Sequence, residues 1–98
     1  MIRRLIIMPQ AKIDLIESHV YLNKVRSGLG MQFDKRVGDA LQRISEMPEL
    51  SAIQWDDIRA VRIKQFRHVI YYVVHPDRIE VIAVIHGSRD ASIVTDRM

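Results

Sequence analysis

The sequence predicts an α+β domain in the order β-α-α-β-β-β, with a helical hairpin packed on one face of an antiparallel sheet. Three observations predict it. A short β-branched run precedes a proline near the N-terminus, two stretches with helical apolar spacing follow, and the second half holds three runs rich in β-branched and aromatic residues. Helices grouped first and strands after them mark an α+β fold rather than alternating α/β units. The chain has 98 residues, 48% hydrophobic and 28% charged, enough for one modest core. Residues 1–98 are therefore read as a single domain.

Residues 2–7, IRRLII, form the first strand, and Pro9 ends it. Proline suits a first helical position because its missing N–H would have gone unpaired there. Met8 has no side-chain oxygen to cap the helix, so this start depends on tertiary packing. The helix runs to about Val25 with two apolar stripes. Ala11, Leu15, Ser18 and Leu22 recur on one side, and Ile13, Ile16 and Val20 on nearly the opposite side. A helix apolar on both sides is sandwiched or has a partner. RSGLG, residues 26–30, breaks the chain with two glycines, one suited to a left-handed residue. A second helix to about Met47 carries one stripe of Phe33, Val37, Ala40, Leu41, Ile44 and Met47, and the short link makes the pair an antiparallel hairpin.

Residues 48–58 read as an irregular connection, with Trp55 as a packing anchor. RAVRIKQF then alternates, Val61 and Ile63 one way, Arg62 and Lys64 the other. HVIYYVV and IEVIAVI are two further strands, joined by a tight HPDR turn. The tail, SRDASIVTDRM, is one more helical turn or a frayed end.

The net charge of +3 permits an anionic partner without requiring one. Its distribution is more informative: Arg59, Arg62, Lys64 and Arg67 fall in nine residues without an acid, while Glu46, Glu49, Asp56 and Asp57 lie just upstream. With no cysteine, disulfides, thiol catalysis and thiolate zinc are excluded, in keeping with a cytoplasmic location. The apolar run Leu5–Met8 is too short for a signal segment, and no run reaches the ~20 residues of a membrane span. There is no phosphate loop, dinucleotide fingerprint, HExxH or EF-hand, and the four histidines lack ligand spacing. No cofactor and no metal are expected.

Two places carry candidate chemistry. Arg62 and Lys64, as alternate residues of one strand, would stand about 7 Å apart on one face, a spacing that suits adjacent phosphates, though a solvated strand face is the commoner reason for it. His86 and Arg89 follow the last strand, where a histidine is either tied to backbone or placed for proton transfer. Tyr71 and Tyr72 point to opposite faces, so one is core and the other is available to a base or a partner.

The ordered set PQAKIDLIESHVYL, RISEMPEL and IRAVRIKQFRHVIYYVVHPDRIEVIAVIHGSRD resembles the RelE/ParE superfamily of toxins from type II toxin–antitoxin modules, over nearly the whole chain. The resemblance implies a β-α-α-β-β-β domain, a cognate antitoxin whose C-terminal segment folds over the toxin, and contact with operator DNA only through that antitoxin. It also implies an occupant for the row Ile13, Ile16 and Val20: the antitoxin or a second copy in a homodimer. RelE-like members cut mRNA on the ribosome without metal, and Arg62, Lys64, Arg67 and Arg89 match their basic places. The aromatic or histidine of their tail is absent from ASIVTDRM, so His86 would have to move the proton. ParE-like members inhibit DNA gyrase without a ribonuclease constellation, and the ending Ile-His-Gly-x-Arg-Asp is more like this branch. A gyrase inhibitor is the expectation, with the ribosome-dependent endoribonuclease as alternative and a non-toxic binding module of the same fold as a third reading.

Overall fold

The computed structural model describes residues 3–98, so Ile2, where the first strand was expected to begin, lies outside the described residues. The elements are β1 (Arg4–Ile7), α1 (Pro9–Val25), α2 (Leu29–Glu46), β2 (Ile53–Trp55), β3 (Ile58–Arg62), β4 (His68–Val74), β5 (Arg78–His86) and a C-terminal turn α3 (Ser92–Thr95). The sheet order is β1-β5-β4-β3-β2. The α+β class and the helical hairpin on the sheet are as expected.

Three expectations about the strands change. The connection 48–58 contains a strand, β2, which pairs with β3 through Ile53↔Arg59 and Trp55↔Ile58. It is three residues long and turns at Asp56 (φ 50°), without the Asn-Gly or Asp-Gly pair that marks a tight hairpin. The sheet is mixed rather than antiparallel, because β1 runs parallel to β5 from Arg4↔Arg78 to Ile7↔Val81. The chain passes from β1 through the α1–α2 hairpin to β2 at the far edge and returns by β3 and β4 to β5, far longer than the crossover a parallel neighbour requires. Finally, Lys64 is off the strand: Ile63 N–H donates to the His68 carbonyl (3.0 Å), so residues 64–67 must reverse the chain, with Gln65 left-handed (φ 72°).

Both faces of the sheet are covered in part. Phe33, Val37, Ala40 and Ile44 of α2, with Ala11 and Leu22 of α1, pack on Ile63, Ile70, Tyr72, Ile79, Val81 and Val84. Each such large side chain contributes about 1.5–3 kcal/mol on burial. Tyr72 is the core tyrosine, its hydroxyl donating to the Pro48 carbonyl at 2.8 Å. A sheet with helices on one side would leave its other face to water, yet Ile58, Val73, Ile82, Ala83 and Ile85 are buried there beneath Val94 of α3. Tyr71 on that face is half-buried against Trp55, ring centroids 5.7 Å apart. Met47, expected to close the α2 stripe, is 51% exposed, because the helix ends at Glu46 and the Met47 backbone leaves helical geometry (φ −136°, ψ 68°).

The hairpin closes tightly at Gly30. A Cβ there would lie 2.8 Å from the His19 carbonyl oxygen of α1. The clash is with backbone, so Gly30→Ala should spread the helices and cost about 1–3 kcal/mol in urea unfolding. Gly38 of the same helix meets nothing within 4 Å, and Gly38→Ala should be neutral or stabilising.

Candidate functional site

The end of the sheet opposite the HPDR turn gathers the basic residues. Gly87 N–H donates to the Arg67 carbonyl at 2.8 Å, tying the exit of β5 to the 63–67 turn. The approach is close: a Cβ at Gly87 would stand 3.1 Å from that same carbonyl. Arg62, Lys64, Arg67 and Arg89 are therefore at one end of the molecule, all exposed.

The sheet nevertheless divides Arg62 from His86. Val61 and Ile63 pack toward the helices, so strand alternation turns Arg62 to the other face. His86 pairs directly with His68, whose ring lies 4.8 Å from Phe33 on the helix side. His86 and Arg89 line a groove of about 390 Å³ between α1 and the end of β5, with Asp14, Glu17, Ser18, Tyr21 and His68. A different groove of about 280 Å³ lies under α2, lined by Arg43, Ile44 and Tyr72, and reaches the end of β3 at Arg62. Arg43 was not singled out from sequence, because a lone arginine on the polar side of an amphipathic helix carries no pattern.

His86 is held by its own loop. The Ser88 N–H donates to Nδ1 at 3.1 Å, and Ser88 Oγ lies 2.7 Å from the same nitrogen. That N–H fixes the neutral ring with its proton on Nε2. The lone pair a general base would use is thus occupied, and Nε2–H is left as a donor to the groove. His68, behind it, is 8% exposed, and its Nδ1 has no hydrogen-bond partner. Burial, and secondly the charge His86 can take, lower the His68 pKa from 6.5.

A second polar centre escaped sequence reading. Asp14 of α1 is 6% exposed, and its Oδ2 accepts the Val84 N–H at 3.0 Å. Arg97 clamps both carboxylate oxygens, Nη1–Oδ2 2.6 Å and Nη2–Oδ1 3.1 Å, and also donates to the Ile82 carbonyl at 3.0 Å. The hydrogen bond that Arg97 donates to Asp14 raises the Arg97 pKa. β1 stops pairing with β5 at Val81, and these side chains occupy the strand edge left bare beyond it.

The outer face of α1 presents Ile13, Ile16 and Val20 at 46%, 64% and 48% exposure. Among the described residues no group of three His, Asp or Glu is placed to hold a metal ion, and no helix is long and apolar enough to cross a membrane.

Residues 5–91 match the family model described as the ParE toxin of the type II toxin–antitoxin system parDE. No curated protein matches the chain. Among solved structures it is similar to a chain of the chromosomal ParDE toxin–antitoxin system from P. aeruginosa, with TM-score 0.77 and 9% identity over 87% of this chain and 96% of that one. It is also similar to the YoeB dimer from Staphylococcus aureus (TM-score 0.58, 17% identity, 88% and 98% covered). A chain of the YoeB–YefM complex from the same organism gives 0.55 and 17%, with 86% and 95% covered. At these identities the likeness shows a common fold.

Proposed function

This chain belongs to the ParE toxin family of type II toxin–antitoxin systems, and we propose that it acts as a single-domain cytoplasmic inhibitor of DNA gyrase, neutralised by an antitoxin. One observation carries the choice of gyrase over mRNA. Two residues a ribonuclease would need to converge do not: His86 borders the α1 groove beside Arg89, with its Nδ1 lone pair engaged by Ser88, and strand alternation between Val61 and Ile63 turns Arg62 away from it. Metal-free cleavage of RNA needs a base and an acid within reach of one phosphate, and no aromatic or histidine from the tail replaces His86. Arg62, Lys64, Arg67 and Arg89 then serve as a basic surface.

Antitoxin partnership is supported by the neighbours, a ParDE system and a YoeB–YefM complex. The Ile13, Ile16 and Val20 face is the docking surface, since an exposed isoleucine row is costly in a chain that stays alone. Operator DNA is reached through the antitoxin. A homodimer through the same face is the second reading, favoured by the YoeB dimer among the neighbours.

Expression without antitoxin should halt DNA replication and induce the DNA-damage response while translation continues, and gyrase supercoiling should fall in vitro. A stable His86→Gln variant should keep full toxicity. Ribosome-dependent mRNA cleavage with supercoiling untouched, abolished by His86→Gln, would replace this reading with the nuclease.

A further inference from the structure

We infer that His68 and His86 form a proton-operated latch that holds the ends of β4 and β5 together near neutral pH and releases them in acid. The two residues are direct partners across the ladder, with ring centroids 5.6 Å apart. His68 is the trapped member. Phe33 of α2 and Phe66 of the 63–67 turn pack on its ring at 4.8 and 6.5 Å, so a charge there has little water to solvate it. Its Nδ1 is buried without a partner, which a neutral imidazole tolerates as an acceptor. An imidazolium has donors on both nitrogens, and one would then be buried unpaired.

The surrounding charges do not relieve this. From α1 come Asp14, already neutralised by Arg97, and Glu17, with the Tyr21 hydroxyl; from the exit of β5 come His86 and Arg89. Glu17 favours a proton on His68, and Arg89 and a protonated His86 oppose it. The same ladder end carries the Ile63 N–H to His68 carbonyl bond and the Gly87 N–H to Arg67 carbonyl bond. Parting His68 from His86 therefore frees the 63–67 turn and the Ser88–Arg89 loop together, along with Lys64, Arg67 and Arg89.

The direction in pH follows from linkage. The closed form disfavours the proton on His68, whose pKa is lowered from 6.5, and the open form does not. Closure is at full strength above 6.5 and weakens as pH falls through that value, until the closed form itself takes the proton.

The test is amide hydrogen exchange, corrected for intrinsic rates, on the purified chain from pH 7.5 to 5. Protection of the Gly87 and Ile63 amides should fall by up to about tenfold per pH unit, the limit for one proton, while amides in the middle of α2 change less. His68→Phe keeps an aromatic ring and should flatten the dependence; His86→Gln, which removes the partner charge, should make it shallower. In the wild-type chain the His68 ring should titrate over the same range, followed by NMR, a readout that stands even where a variant fails to fold. An unchanged profile in His68→Phe, a His68 ring that does not titrate with the loss of protection, or a loss spread evenly over all amides would each overturn the latch.

Discussion

Arg97→Ala should lower the unfolding free energy by about 3 kcal/mol, read as a shift in urea midpoint at constant slope. For a domain of this size that corresponds to a melting temperature roughly 12–24 °C lower. The reason is what the variant leaves behind. Asp14 is 6% exposed and takes two hydrogen bonds from the guanidinium. Without Arg97 its charge rests on the Val84 N–H alone. Breaking one side of a buried pair typically costs about 3–5 kcal/mol, whereas the intact pair is worth much less than that. Arg97 keeps 18% of its side chain exposed, which favours the lower end of the range. Asp14→Asn should be milder, about 1 kcal/mol, because the amide oxygen still accepts from Val84 and no charge is stranded. Asp14→Leu should be worse than Asp14→Asn, since the Val84 N–H would then face apolar atoms. Equal losses for Asn and Leu would mean that Asp14 does not serve this strand edge.

The helices and the long strands were legible in the sequence because their periods run for many residues. Phe33, Val37, Ala40 and Ile44 recur at helical spacing and are all buried, and β4 spans His68–Val74, the residues of HVIYYVV. What was not legible has short range or long reach. β2 is three residues with a bulge, below the length at which alternation can be recognised. The parallel pairing of β1 depends on where the hairpin returns the chain, which no local pattern encodes. The bond between Asp14 and Arg97 joins residues 83 positions apart, and neither stands out alone. The site divides in the same way. The cations of the 59–67 run and Arg89 were visible as charges, and the structure brings them to one end. That the sheet would set His86 on the opposite side from Arg62 required the register His68↔His86, and the burial of His68 required Phe33 above it.

The Ile16→Asp/Val20→Asp double variant should fold as the wild type does and lose about 10³-fold in affinity for the cognate antitoxin. Both positions are on the outer face of α1, at 64% and 48% exposure, and neither belongs to the core packing, so thermal stability should stay within about 1 kcal/mol of wild type. Buried apolar anchors at the centre of an interface are typically worth about 2 kcal/mol or more each, and about 4 kcal/mol together corresponds to 10³-fold. As neighbours on one helix face the two are coupled, so the double variant is the more secure measurement. The free chain should become more soluble, because charge interrupts the isoleucine row. In cells the variant should stay toxic when its antitoxin is present, and the gyrase inhibition proposed for the chain should be unaltered in vitro. Binding would be read by calorimetry on purified proteins, and oligomeric state by light scattering on the same samples. Undiminished antitoxin binding with a change from dimer to monomer would assign this face to a second copy instead. Undiminished binding with no change in mass would remove the face from both roles. The antitoxin outcome is the expected one, because a row of only three residues, Ile13, Ile16 and Val20, is short for a stable helix-to-helix dimer. It is long enough to anchor a partner that also reaches the basic end of the sheet.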